Sequence, residues 1–112
     1  MSKSYSLESV NELSGGDDEF ITVLVQTFLE EIPPDLEGMG QAVKDNDPKT
    51  AYQFAHKMKP NLQLFGIDLL KEIKQVEAWS KSGMDQSEIS SILDHITATV
   101  NGAIEDLKVD FQ

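Results

Sequence analysis

Ala55-His56-Lys57-Met58-Lys59-Pro60-Asn61-Leu62-Gln63-Leu64-Phe65-Gly66 is the stretch on which the reading of this chain turns. Together with Phe54 before it and Leu69 after it, its apolar residues fall at Phe54, Met58, Leu62, Phe65 and Leu69. Those are steps of three and four, the spacing of one buried helix face. His56, Lys59 and Gln63 recur at i, i+3 and i+7, which stacks them on another face of the same helix. Such a trio reads two ways. It is a reactive centre held outward by a helix whose other side is pinned, or it is an ordinary solvated face.

Working outward, Asp47-Pro48 predicts the start of this helix, with Asp as N-cap and Pro at the first helical position, and Gly66 predicts its left-handed stop. Upstream, Ser6 is expected to cap a short helix holding Leu7, Val10 and Leu13, ended by Gly15-Gly16 and laid across the body as a lid. Asp17-Asp18-Glu19 places acids at the next helix start. Phe20, Val23, Leu24, Thr27, Phe28 and Ile32 give that helix an apolar stripe. Pro33-Pro34 is expected to break or kink it, with Leu36, Met39 and Val43 continuing as a second piece. Downstream, Leu69, Leu70, Ile73, Val76 and Trp79 predict one helix ending near Ser82-Gly83. Asp85-Gln86-Ser87-Glu88 has the form of a capping box. It opens a long helix carrying Ile89, Ile92, Leu93, Ile96, Val100, Ala103, Ile104 and Leu107. No strand pattern or repeat is present. Short loops force antiparallel neighbours, so the fold class is all-α: an antiparallel up-down four-helix bundle with a short extra N-terminal helix, one domain over 1–112.

Composition narrows the function. The 112 residues carry a net charge of -11, and all nine basic residues are lysine. Residues 1–48 balance at -9, residues 49–81 at +3 and residues 82–112 at -5. So acidic a body repels phosphate backbones and anionic membranes, which argues against nucleic-acid or membrane partners. The one basic third contains His56 and suits an acidic partner or a phosphoryl group; the plainer alternative is a solvated lysine face. The absence of cysteine removes disulfides and thiolate chemistry and makes a reducing cytoplasm the expected location. No membrane span or signal-peptide pattern is present, and nothing demands more than a monomer.

Most catalytic constellations are missing. Without cysteine, with two histidines (His56 and His95) and with no HExxH or inward Glu-x-x-His sets, neither a nucleophile–base pair nor a metal centre is expected. Glu88 and Asp94 beside His95 do not make a metal site, and no Gly-rich nucleotide loop is present. An ordinary enzyme is therefore not expected. His56 remains: neutral imidazole is a competent nucleophile towards phosphorus. Lys59, one turn on, could screen the incoming charge, and Gln63 could orient the ring. Pro60 lacks the N–H that would bond the His56 carbonyl, so the helix is loosened at this turn; a kink that sets the exposure of His56 and one that only curves the helix round the core are both open.

Ala55-His56-Lys57-Met58-Lys59, with Gly66 ten residues after the histidine, resembles the core pattern of histidine-containing phosphotransfer (HPt) domains of two-component phosphorelays. Leu13-Ser14-Gly15-Gly16-Asp17, the Phe28-Leu29-Glu30-Glu31 segment followed by proline, and the helical layout extend the resemblance over nearly the whole chain. It implies His56 as phosphoacceptor, Lys59 as the lysine that stabilises the phosphohistidine, and Gly66 as the helix-ending glycine. Pro60 stands where the family has glycine, which bears on how closely a partner loop approaches. Lys57, Pro60 and Leu64 are expected on or beside the docking face, with Gln63 as an orienting residue. The implied activity is a phosphocarrier's rather than an enzyme's: His56 takes a phosphoryl group from a receiver-domain phosphoaspartate and passes it to another receiver. The implied partners are response-regulator receivers and a hybrid sensor histidine kinase, with Mg²⁺ on the receiver and no cofactor in this chain. The competing expectation is a helical-bundle adaptor that binds a receiver without accepting phosphate.

Overall fold

The computed structural model describes residues 5–111. Six helices follow in order: α1 (Glu8–Ser14), α2 (Asp18–Lys44), α3 (Pro48–Leu64), α4 (Leu70–Glu77), α5 (Trp79–Ser82) and α6 (Gln86–Phe111). No strand occurs among the described residues. α2 packs on α3, α3 on α4, α4 on α6 and α6 back on α2, which closes a four-walled bundle with α1 against α2. The register is antiparallel. Gly38 of α2 faces Phe54 of α3, Asp35 faces Lys57, and the Phe28 and Phe65 rings meet at 4.6 Å, so numbers fall along α2 as they rise along α3. Gln86 at the start of α6 donates to the carbonyls of Val43 and Lys44 at the end of α2. Two helices are tied end to end in this way, and carbonyls that the helix itself leaves without donors are satisfied.

The helix ends follow from local chemistry. The Asp17 carboxylate accepts from the N–H groups of Glu19 and Phe20, and Asp47 accepts from Thr50 N–H at 3.2 Å. Asp85 accepts from Glu88 N–H at 2.9 Å, the forward half of the capping box. Gly66 at φ +65° stops α3, with Ile67 N–H reaching back to the Leu62 carbonyl at 2.9 Å. That is the six-to-one closure of a left-handed helix stop. Asn46, at φ 54°, does the same after α2.

Four expectations are corrected. First, α2 runs unbroken through Pro33 and Pro34. Proline's φ suits a helix, and the buried Ile32 and Leu36 hold both sides of the pair in register although the carbonyls of Leu29 and Glu30 lose their helical donors. Second, the core face of the first half of α2 is Ile21, Val25, Phe28 and Ile32, while Phe20 is 45% exposed, Val23 is 56% exposed and Thr27 also faces out. Apolar residues lie on more than one face of this segment, so periodicity did not fix its rotation. Third, the helix expected over 69–82 is two, divided at Ala78, with buried Trp79 turned so that its indole N–H donates to the Met84 carbonyl at 3.0 Å. Leu70 lies outside the core. Fourth, Leu7 rather than Ser6 immediately precedes α1, although the Ser6 hydroxyl accepts from Glu8 N–H. The central stripe stands as expected: Met58, Leu62, Phe65 and Leu69 are buried, and Phe54 is half-buried against the α2 backbone at Gly38.

Candidate functional site

With Met58 and Leu62 buried, α3 turns His56 outward, and its side chain is 61% exposed. One helical turn earlier, Tyr52 lays its ring parallel to the imidazole, at 6° and a centroid separation of 5.6 Å. Across the groove between α3 and α4 stands Glu77, whose side chain is only 12% exposed. Its Oε2 lies 3.0 Å from His56 Nδ1, and Lys59 Nζ lies 3.0 and 3.1 Å from Oε1 and Oε2. One carboxylate thus holds two of the three residues that the sequence singled out, His56 and Lys59.

Burial pushes the Glu77 carboxyl up, but hydrogen bonds from Lys59 and His56 and their nearby charge outweigh it, and the group sits below its ordinary value. It is therefore an ionised acceptor at neutral pH. A carboxylate cannot donate, so the proton in this contact belongs to Nδ1. The lone pair of neutral His56 is then on Nε2, which makes no hydrogen bond among the described residues, on a side chain that is mostly exposed. Lys59 uses two N–H groups on Glu77, which leaves one for another acceptor.

The remaining expected residues distribute differently. Lys57 reaches back to α2 and pairs at 3.0 Å with Asp35, a buried carboxylate whose other oxygen has no hydrogen-bond partner among the described residues. Pro60 is exposed and α3 continues through it. Gln63 is exposed, and no hydrogen bond joins it to His56 among the described residues; Glu77 orients the ring instead. Leu64 is half-buried at the rim of the core. His95 lies on α6, with Nε2 4.0 Å from Glu72, away from this cluster. Among the described residues no three His, Cys, Asp or Glu side chains are grouped to hold a metal ion, and no helix is long and apolar enough to cross a membrane.

Sequence reasoning missed Glu77 and Tyr52. Tyr52 carried a usable signal, since it stands four residues before His56 on the same helix. Glu77 carried none, because its approach depends on how α4 is set against α3.

Searches of curated proteins and of solved structures return no match. The model of the Hpt domain family matches residues 23–101, which takes in all of α3 and α4 and most of α2 and α6. An outward histidine on a bundle helix, its ring fixed from Nδ1 and a lysine one turn on, is an arrangement suited to carrying a phosphoryl group, and on that match the chain belongs to the Hpt family, the histidine phosphotransfer domains of two-component phosphorelays.

Proposed function

We propose that this chain is a phosphorelay intermediary with His56 as its phosphoacceptor. The observation that carries the reading is the fixing of an exposed imidazole through Nδ1 by the shielded Glu77, which leaves Nε2 as the free nucleophile. Nε2 attacks the phosphorus of a receiver's phosphoaspartate in line. The N–P bond forms as the acyl phosphate P–O bond breaks, and the aspartate leaves as carboxylate. Nδ1 keeps its proton throughout, and the positive charge that develops on the ring faces the Glu77 carboxylate. Lys59 anchors that carboxylate and offers its remaining N–H to a phosphoryl oxygen. In the return step an aspartate oxygen of a second receiver attacks the same phosphorus and His56 Nε2 leaves. The Mg²⁺ for either step belongs to the receiver. This chain contributes a positioned nucleophile.

In this reading the donors and acceptors are response-regulator receivers and the receiver of a hybrid sensor kinase, met by a monomer in the cytoplasm. Pro60, Gln63 and the stem of Lys57 lie on the outward side of α3 and Leu64 at its margin, where a receiver centred on His56 would cover them. The test is phosphoryl transfer from receiver domains charged with acetyl phosphate to wild type and to His56→Gln. Label that is acid-labile and base-stable is expected on wild type alone. Label on folded His56→Gln would overturn the assignment, and a folded wild type that takes label from no receiver would favour a binding module.

A further inference from the structure

The positive charge of this acidic chain converges beside the proposed phosphoacceptor. An open cleft of about 650 Å³ lies between α3 and the α4–α5 segment, with Lys49, Lys74 and Lys81 around it and Tyr52, Glu77 and Ala78 among its walls. The three lysines come from three helices, so no local pattern explains their meeting. None stands within ion-pair distance of a described acid, whereas Lys57 and Lys59 each have a carboxylate at 3.0 Å. The one acid in the wall, Glu77, is engaged by Lys59 and His56. Asp47, near Lys49 in sequence, directs its carboxylate to the N–H and hydroxyl of Thr50, and the Lys49 ammonium acts on it only from beyond ion-pair distance. Ammonium groups brought together around a concave surface raise its potential and favour a negatively charged occupant.

The same walls face His56. Tyr52 stacks on the imidazole and Glu77 holds its Nδ1, so a protein aligned on Nε2 overhangs the cleft. A phosphate ion would fill a small part of the volume and would leave the Tyr52 and Ala78 surfaces uncovered. A chain segment with acidic side chains among apolar ones matches both the lysines and the walls. We propose that this cleft is a second docking point, seating an acidic segment of the cognate receiver domain while that receiver's aspartate is aligned on His56. The inference rests on the relay reading above. It gives a chain of net charge -11 a local means of attracting a partner and of choosing among receivers that share one active-site chemistry.

The experiment compares wild type with the triple variant Lys49→Glu, Lys74→Glu, Lys81→Glu, and with the corresponding triple Lys→Gln variant. The phosphoryl donors are a panel of receiver domains charged with acetyl phosphate and, separately, phosphoramidate, a donor too small to need docking. All three lysines are exposed, and an unchanged circular dichroism melt would confirm an intact fold. With the receiver that serves wild type best, the Glu variant is expected to lose about tenfold or more in kcat/KM at about 0.05 M salt and the Gln variant less, with the gaps narrowing at about 0.5 M as screening shortens to a few ångströms. Labelling by phosphoramidate is expected to match wild type in both. Wild-type transfer from receivers by both variants at low salt would refute the docking cleft and leave the relay standing. Loss of phosphoramidate labelling along with receiver transfer would place the lysines in the chemistry of His56 and refute docking. Wild type labelled by phosphoramidate but by no receiver would refute the relay reading and the cleft with it.

Discussion

Replacing Glu77 tests the chemistry of the site most directly, because one carboxylate positions the imidazole, balances its charge and anchors Lys59. In Glu77→Ala nothing specifies the tautomer of His56, and molecules with the proton on Nε2 cannot attack. A hydrogen bond to a charged group contributes about 1.5–3 kcal/mol. His56 is 61% exposed, so water competes and the lower end applies. A loss of about 1.5 kcal/mol at the transition state corresponds to roughly tenfold slower transfer. Glu77→Gln keeps an oxygen that can accept from Nδ1 but removes the charge, so a smaller loss of about threefold is expected. Transfer from a phosphorylated receiver, followed by rapid quench, measures both. Nitrogen chemical shifts of the His56 ring report the tautomer independently. Wild-type transfer by Glu77→Ala, with the Nδ1–H tautomer still dominant, would refute the role given to Glu77. A pH arm follows from the lowered pKa of the carboxyl. The stabilisation it provides is fully present above its ordinary value of 4.5 and is lost as pH falls through the lower folded value. The stability gap between wild type and Glu77→Ala should therefore be wide at pH 7 and close progressively below about pH 4.

Lys59→Ala is expected to slow transfer or shorten the lifetime of phosphohistidine; wild-type values for both would remove Lys59 from the mechanism. Lys57→Ala leaves the buried Asp35 carboxylate without its cation and is expected to cost about 1–3 kcal/mol in urea denaturation, with an unchanged midpoint arguing that water replaces the ammonium. Gly66→Ala meets two obstacles, a φ of +65° and a new Cβ 2.7 Å from the Ser6 side chain. A loss of about 1–2 kcal/mol is expected, and equal stability would show that the α3 stop does not need glycine.

Much of the bundle was legible because helix ends and buried faces are set within a few residues. Asp47-Pro48, Gly66 and Asp85 mark their boundaries through hydrogen bonds to N–H and carbonyl groups three to five positions away, and the structure places the boundaries there. The stripe from Met58 to Leu69 fixed the rotation of α3, and with it the outward position of His56. The first half of α2 was misread for the opposite reason. Phe20, Ile21, Val23, Leu24 and Val25 put apolar groups around the helix, and only tertiary packing selects Ile21 and Val25 for the core. The unbroken course through Pro33-Pro34 is likewise a tertiary result, since burial on both sides of the pair outweighs two missing helix hydrogen bonds.

The sequence by itself determined an all-helical chain, the helix that carries His56, the side of that helix on which the imidazole stands, and a family pattern pointing to phosphotransfer. These depend on short-range spacing and capping, which the chain states locally. Only the tertiary structure decided that Glu77 meets His56 and Lys59, that Lys57 turns away to Asp35, and that Lys49, Lys74 and Lys81 share one cleft. Each depends on the axial register and rotation of one helix against another. Those are set by the interlocking of the whole core, and no single segment encodes them.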